Sequence, residues 1–330
     1  MVEVSVIILN YNGMEFIENC LRSVFASAYS DFEVILVDNA SSDGSISYIQ
    51  NTFSSYHSLK LVINGKNYGF ALGNNVGAAY AHGKYLVFLN IDTIVDSRWL
   101  SELVNVMDHN PSVGAAQCKL LLMDNPKLID SAGHDLDWFG ISYVRGHMAE
   151  DQGQYDKINE IFGATGAALI IKRDIFNKLG GFDEDFFMLF EEDDLCWRTW
   201  ILGYKVLFIP KAIVFHKSGA LRSKKGNYRN LFLSRRNRII SLIKNYSTKN
   251  LIRFLPLNIG LLLGIAFFTE DKQEYLKAYF DSLFWIIRNY REILLKRQRI
   301  QAMRIVSDDY LIKLGVLRKP IIGKMIKNGY

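Results

Sequence analysis

The sequence predicts an α/β fold, a mostly parallel, Rossmann-like sheet flanked by helices, followed by a basic and mainly helical C-terminal region. Three observations carry this. Short apolar runs alternate with segments of helical apolar spacing, the pattern of buried parallel strands joined by right-handed crossovers. Each apolar run ends in polar residues, which is where ligands of such sheets sit. The charge is also divided along the chain. Up to His216 there are 15 Lys and Arg against 27 Asp and Glu, whereas Lys217 to Tyr330 hold 24 against 7, within a net charge of +5. An acidic front and a basic rear face two kinds of partner.

The elements follow in order. Val4–Leu9 is a continuous apolar strand stopped by the loop signal Asn10-Tyr11-Asn12-Gly13. Ile17, Leu21, Val24 and Phe25 stand at helical spacing. A second strand, Phe32–Val37, closes on Asp38-Asn39 and a polar loop to Ser45. A third strand at Lys60–Ile63, a Gly-rich helix from Phe70 and a fourth strand at Tyr85–Leu89 come next, the last ending in Asn90-Ile91-Asp92. The stretch 113–216 is less regular, with strands at Val113–Cys118, Ala167–Ile171 and Lys205–Ile209 and a helix after Glu191. The expected division is an α/β domain over 1–216, its halves meeting near 112/113, and a helical region over 217–330.

Composition excludes several classes. At 330 residues, 49% hydrophobic with five prolines, the chain can bury a sizeable core. Cys20, Cys118 and Cys196 are too few and too scattered for a disulfide framework or a zinc module, which points to a reducing compartment. The first residues read as a strand rather than a secretory leader. Phe254–Phe268, the longest apolar run, contains Pro256, Asn258, Gly260 and Gly264 and falls short of the ~20 residues of a spanning helix. No G-x-G-x-x-G follows the first strand and no P-loop motif occurs, which disfavours dinucleotide oxidoreductases and P-loop enzymes.

Three features carry chemistry. Asp92, just beyond an apolar strand, is a hard oxygen ligand suited to Mg2+ or Mn2+ on phosphates, or else the cap of a following helix. Glu191-Glu192-Asp193-Asp194 crowds four acids, which raises at least one carboxyl toward the range of a general base; alternatively the acids serve the dipole of a helix start, with Asp194 pairing to Arg198. Helical spacing would put Glu191 and Asp194 on one face and Glu192 elsewhere. His216 ends a strand and matters only if the fold brings it beside Asp92. His57, His82, His109, His134 and His147 show no partner pattern.

Together, Val4–Asn12, Val37–Ser45, Asn67–Gly77, Leu89–Thr93, Gly163–Ala167, Gly180–Glu184, the Glu191–Leu195 acids and His216 resemble the inverting family 2 glycosyltransferases of the GT-A fold. Within them they look most like the rhamnosyltransferase-type branch. The resemblance covers about two-thirds of the chain. It implies that Asp38 and Asn39 contact the base and ribose of a sugar nucleotide and that Tyr11 lies against the base. It also implies that Asn10, Asn12, Asn67, Gly69, Asn74 and Asn75 line that site. Asp92 matches the last acid of the DxD-type metal motif, whose first acid is here Asn90, and His216 completes the metal site. Glu192 matches the base, with Glu191 as its rival, and Asp194 the acid that follows, placed with them among the catalytic residues as an acceptor or structural contact. The implied cofactor is Mn2+ or Mg2+. The donor is dTDP-rhamnose or a UDP- or GDP-sugar, and the acceptor a glycan or a lipid-linked sugar. A non-catalytic sugar-nucleotide-binding subunit of the same fold is the alternative. A processive synthase is disfavoured, since Leu195-Cys196-Trp197-Arg198 is not its Q-x-x-R-W motif.

In the basic rear, Arg222, Lys224, Lys225, Arg229, Arg235, Arg236 and Arg238 form a dense cluster, read as a solvated face, a nucleic-acid patch or a phosphate site. No nucleic-acid module accompanies it, so nucleic acid is not expected. The resemblance makes Arg222, Lys224 and Lys225 diphosphate or acceptor contacts. Leu276, Phe280, Leu283, Phe284, Ile287 and Leu294 form a helical stripe among Arg288, Arg291, Lys296, Arg297 and Arg299. It suits either a packing face or an interfacial helix on anionic lipid. A cytoplasmic protein, peripheral on the inner face of the cell membrane, is the expectation.

Overall fold

The computed structural model of the protein describes residues 2–219, 228–269 and 271–320. Four parallel strands, β1 (Val4–Asn10), β2 (Phe32–Asp38), β3 (Leu59–Ile63) and β4 (Tyr85–Asn90), alternate with α1 (Ile17–Phe25), α2 (Ser45–Thr52) and α3 (Gly69–Ala79). The apolar runs of β1, β2 and β4 are buried on both faces, as parallel strands under helices require, whereas β3 is a half-exposed edge strand. After β4 the chain makes β5 (Thr93–Val95), α4 (Trp99–His109), β6 (Val113–Leu122) and β7 (Asn125–Ser131). It continues with β8 (His134–Asp137), β9 (Ser142–Val144), β10 (Asn159–Glu160), β11 (Ala168–Lys172), α5 (Arg173–Leu179), α6 (Glu191–Ile201) and β12 (Lys205–His216).

Among the described residues the main sheet has ten strands, in the order β10-β12-β6-β11-β4-β1-β2-β3, with β5 on β12 and β7 on β6. From β1 the chain steps one way to β2 and β3, then returns to place β4 on the other side. The carboxyl ends of β1 and β4 therefore flank a switch point, the crevice where such sheets bind ligands. Two strands outrun the sequence expectation. β6 reaches Leu122, and β12 continues past Pro210 to His216, with a register shift between Ile209 and Ile213 that absorbs the proline. The three cysteines are free and buried.

The rear is helical: α7 (Tyr228–Asn245), α8 (Thr248–Ile265), α9 (Lys272–Arg288), α10 (Tyr290–Ala302) and α11 (Asp308–Leu314), closed by β13 (Leu317–Arg318). The compositional border at 217 is not a gap in packing. β13 pairs with β8 in a second, three-stranded sheet with β9. α7 is the keystone, and apart from the exposed Arg229 its basic cluster is not a solvated face. Arg235, Arg236 and Arg238 are buried. The Arg235 guanidinium lies over Tyr275, and that of Arg236 over Trp285. The packing face of α9 is Tyr275, Ala278, Tyr279, Ser282 and Ile286, whereas Phe280, Phe284 and Ile287 of the expected stripe face outward. The residues from Thr248 to Phe268 form the one described helical segment long and apolar enough to cross a membrane, by length and composition alone.

Candidate functional site

A cleft of about 280 Å³ opens at the switch point. Its floor is the end of β4, where Asn90, Ile91 and Asp92 turn into β5. Strand pairing then assembles an acid–histidine–acid chain. β5 pairs antiparallel with β12 so that Thr93 faces His216; β12 and β7 both flank β6. His216 Nε2 consequently lies 3.3 Å from Asp92 Oδ1, and its Nδ1 lies 2.7 Å from Asp130 Oδ2. Burial lowers the His216 pKa, but hydrogen bonds to Asp130 and Asp92, together with their charges, raise it to about 9. Asp130 was not anticipated. Nothing in its local sequence marks it, because only the β6–β7 hairpin brings it to His216.

Asp92 does not cap a helix: α4 begins at Trp99, and it is Asp96 whose carboxylate accepts from Arg98 N. Among the described residues no three His, Cys, Asp or Glu side chains converge as a complete metal cage. Asp92 and His216 are instead a two-donor set. Asp130 on Nδ1 orients the imidazole and leaves Nε2 toward Asp92, the outer-shell arrangement of ligating histidines. Such a set fits a divalent ion that takes its remaining ligands from phosphate and water.

The opposite wall is the start of α6. Glu191 and Glu192 both line the cleft, each with a buried Oε2 that has no hydrogen-bond partner. Burial and then the charge of Glu192 push the Glu191 carboxyl well above its usual range. Burial and then Asp193 raise Glu192 as well, while His134 and the Gly166 amide hold it back. His134, given no role from sequence, is buried with Nδ1 3.0 Å from Asp193 Oδ1. Gly163 makes room for that pair, since a Cβ there would meet Asp193 Oδ1 at 2.3 Å.

Asp194 forms the alternative pair with Arg198, and its expected place among the catalytic residues is corrected. It does not reach the cleft. It is fully buried, accepting from Arg198 Nε (2.8 Å), Asn245 Nδ2 (2.9 Å), Ser241 Oγ (3.1 Å) and Lys244 Nζ (3.1 Å). The helical wheel fails here because α6 begins at Glu191, where both glutamates in the first turn reach the opening.

At the end expected to take the nucleotide, Tyr11, Asn12, Asn39, Asn67 and Gly69 line the cleft. Several expected contacts instead hold the loops behind it. Asn10 is buried, with Nδ2 donating to Asp38 Oδ1 (2.7 Å) and Ser45 Oγ (2.9 Å). Asp38 is buried too, its second oxygen accepting from Ser41 N. Asn74 donates to Phe70 O, and Asn75 brackets Phe182 through its main-chain N and O. All four are braces: Asn10, Asp38 and Asn74 are buried polar groups that must be satisfied, and the half-buried Asn75 ties α3 to the Phe182 main chain. Asn39 donates to Gly69 O (3.0 Å), and Asn67 accepts from Gly69 N (2.8 Å). Arg222, Lys224 and Lys225 lie outside the described residues.

One wall was invisible in the sequence. Phe187, Met188 and Leu189 border the cleft, with positive φ at Phe187, Leu189 and Phe190. Three such bulky residues store strain that other contacts must hold. Asn237 of α7 does so, its Nδ2 within 3.0 Å of the carbonyls of Phe186, Met188 and Leu189. Phe187 O in turn accepts from Phe70 N and Ala71 N at the start of α3. A larger hollow of about 740 Å³ lies between the Gly180–Asp185 loop and α10, but its Asp183, Asp185, Lys244 and Lys296 are paired with one another.

Known proteins share this architecture. The O-antigen biosynthesis protein RfbC of Myxococcus xanthus is 28% identical over 228 residues, 67% of this chain and 18% of that protein. The chain spans half or less of the length of the first curated relatives it matches. The structure of GalNAc-T7 with UDP, GalNAc and Mn2+ superposes with a TM-score of 0.64 at 16% identity, covering 87% of this chain and 57% of that one. The mannosyltransferase PcManGT of Pyrobaculum calidifontis, in complex with GDP-Man and Mn2+, gives 0.54 at 18% identity, covering 91% and 85%. The two superpositions show the GT-A fold. The match to the family described as Glycosyl transferase family 2 runs over residues 5–180, from β1 through the cleft floor to the end of α5, and the chain belongs to that family.

Proposed function

We propose that the protein is a metal-dependent, inverting glycosyltransferase that moves a sugar from a nucleoside diphosphate to a hydroxyl group of a glycan or lipid-linked acceptor. One observation carries the reading: Asp92, backed by His216, faces the same cleft as the Glu191–Glu192 pair. Asp92 and His216 would hold Mn2+ or Mg2+, which when bound neutralises charge on the departing diphosphate. Tyr11 and Asn39 take the nucleoside, with Asp38 and Asn10 fixing their loops and Asn67 and Gly69 closing the wall. Glu192 accepts the proton of the acceptor hydroxyl as its oxygen attacks the anomeric carbon opposite the diphosphate. The bond to the diphosphate breaks as the new one forms, and the configuration inverts. One base suffices, because no glycosyl-enzyme needs resolving.

The rhamnosyltransferase-like segments put dTDP-rhamnose first among donors, ahead of UDP- and GDP-sugars. The relative named for O-antigen biosynthesis supports a role in cell-surface polysaccharide assembly, on the cytoplasmic side where nucleotide sugars are made available. A panel of nucleotide sugars with Mn2+, read by nucleoside diphosphate release, tests this. Release from one donor, lost when Asp92 is replaced by Ala, is the expected outcome. No release from any of them, with or without candidate acceptors, overturns the reading.

A further inference from the structure

The surface of the helical rear that faces away from the sheet is apolar where solvent calls for polar groups. α8 and α9 form an antiparallel hairpin, since Tyr275 OH donates to Leu262 O and Tyr279 OH to Ile259 O, so contacts climb one helix as they descend the other. The inner side is committed: Phe254 packs on Trp138 and Tyr246, Asn258 Nδ2 donates to Phe139 O, and Ser282 Oγ donates to Phe232 O. On the outer side of α9, Phe280, Phe284 and Ile287 repeat at helical spacing, the last two 65% and 69% exposed. At the bend, Phe267 and Phe268 are 70% and 69% exposed. Isolated apolar residues on a surface mean little, but an apolar helical face ending in an aromatic tip marks an interaction site.

We propose that this hairpin face docks on the surface of an anionic lipid bilayer, with Phe267 and Phe268 entering the headgroup region. Charge selects the occupant. Arg253, Arg288 and Arg291 are exposed on the hairpin and its continuation and make no ion pair among the described residues. A two-fold interface would set this patch against itself and oppose like charges; an anionic bilayer offers an apolar layer beneath a negative surface. The docking is interfacial. Only 28% of the apolar window in Thr248–Phe268 is buried, yet that part is bonded to the protein. Standing α8 across a bilayer would strip Asn258 and Phe254 from their partners, so the hairpin lies along the surface. No residue of this face lines the donor cleft, and the proposal stands independently of the donor reading.

Cosedimentation of the full chain with vesicles tests it, comparing phosphatidylglycerol–phosphatidylcholine mixtures with phosphatidylcholine alone. The protein pellets with the anionic vesicles at low salt and far less with the neutral ones or at high salt. The combined Phe280→Ser, Phe284→Ser and Ile287→Ser variant loses partitioning by at least about tenfold, the effect of withdrawing one large apolar side chain. Its nucleoside diphosphate release in solution stays at the wild-type rate, which separates this test from failure of the transfer reading. A protein that stays in the supernatant with anionic vesicles overturns the proposal, as does a variant that binds them like wild type. A dimer dispersed by the same substitutions assigns the face to a second copy and overturns it too.

Discussion

Glu191 and Glu192 are neighbours in one cleft with one unpartnered oxygen each, and the groups around them differ. Glu192 has the His134–Asp193 pair and the Gly166 amide close by, and both His134 and that amide favour its charged form. Glu191 has burial and three acids, all of which favour the neutral form. Burial and like charge raise both carboxyls, Glu191 the further, so Glu192 is the easier of the two to ionise and the better placed as base. Glu192→Gln should therefore lower kcat by about 10²–10⁴-fold, the usual worth of a general base, with donor affinity unchanged. Glu191→Gln removes the carboxyl that is harder to ionise and should cost less than about tenfold. Steady-state nucleoside diphosphate release and donor titration measure both, and the reverse ranking would move the base to Glu191. At this scale the sequence was legible where chemistry is local: Asp92 at a strand end, the acids before Leu195. Asp130 and His134 were not legible, since each acquires its partner from residues 86 and 59 positions away.

The element that shapes the site most is the loop from Phe186 to Phe190, and it borrows its shape from α3 and α7. Gly69, at φ +77°, lets α3 start against Phe187, where a Cβ would stand 2.4 Å from Phe187 O. Asn237 secures the other side by its carbonyl contacts. Asn237→Ala would take the side-chain donor from the Met188 and Leu189 carbonyls, while Phe186 O keeps Arg236 and the Met188 amide, at about 1–3 kcal/mol of stability. The loop should relax, raising the donor KM more than it lowers kcat, whereas the exposed Arg288→Ala should change neither. Kinetics alongside a thermal melt distinguish this from a purely structural loss, which would lower the melting temperature with KM intact. The strands of the first half could be read from periodicity because parallel strands are apolar throughout. The loop could not, since Phe-Phe-Met-Leu-Phe resembles a strand and its left-handed backbone is imposed by an asparagine 48–51 residues downstream.

At the scale of the molecule, the split charge takes on a physical role. The basic rear does not simply face outward; part of it is buried against the acidic front. Asp183, from the loop after α5, is bonded to Lys244 of α7 and Lys296 of α10, and Lys244 also reaches Asp194 of α6. Composition alone suggested two surfaces for two partners, and it could not tell cations aimed at a ligand from cations aimed at the chain's own acids. Burial would raise the Asp183 carboxyl, but the two ammonium groups hold it far below the usual carboxylate range. A carboxylate depressed in the folded state contributes stability that is complete above its unfolded pKa of about 4 and is lost as pH falls toward the folded value. The rear helices should accordingly loosen below about pH 4. Asp183→Asn should lower stability by about 2 kcal/mol at neutral pH, because Lys244 keeps Asp194 and Lys296 keeps Asp185. It should also flatten the acid limb of the stability profile, since the titrating group is gone. Chemical denaturation of both proteins from pH 7 down to pH 3 measures this, and a variant whose stability falls as steeply in acid as the wild type would show that the Asp183 cluster does not fasten the two parts together.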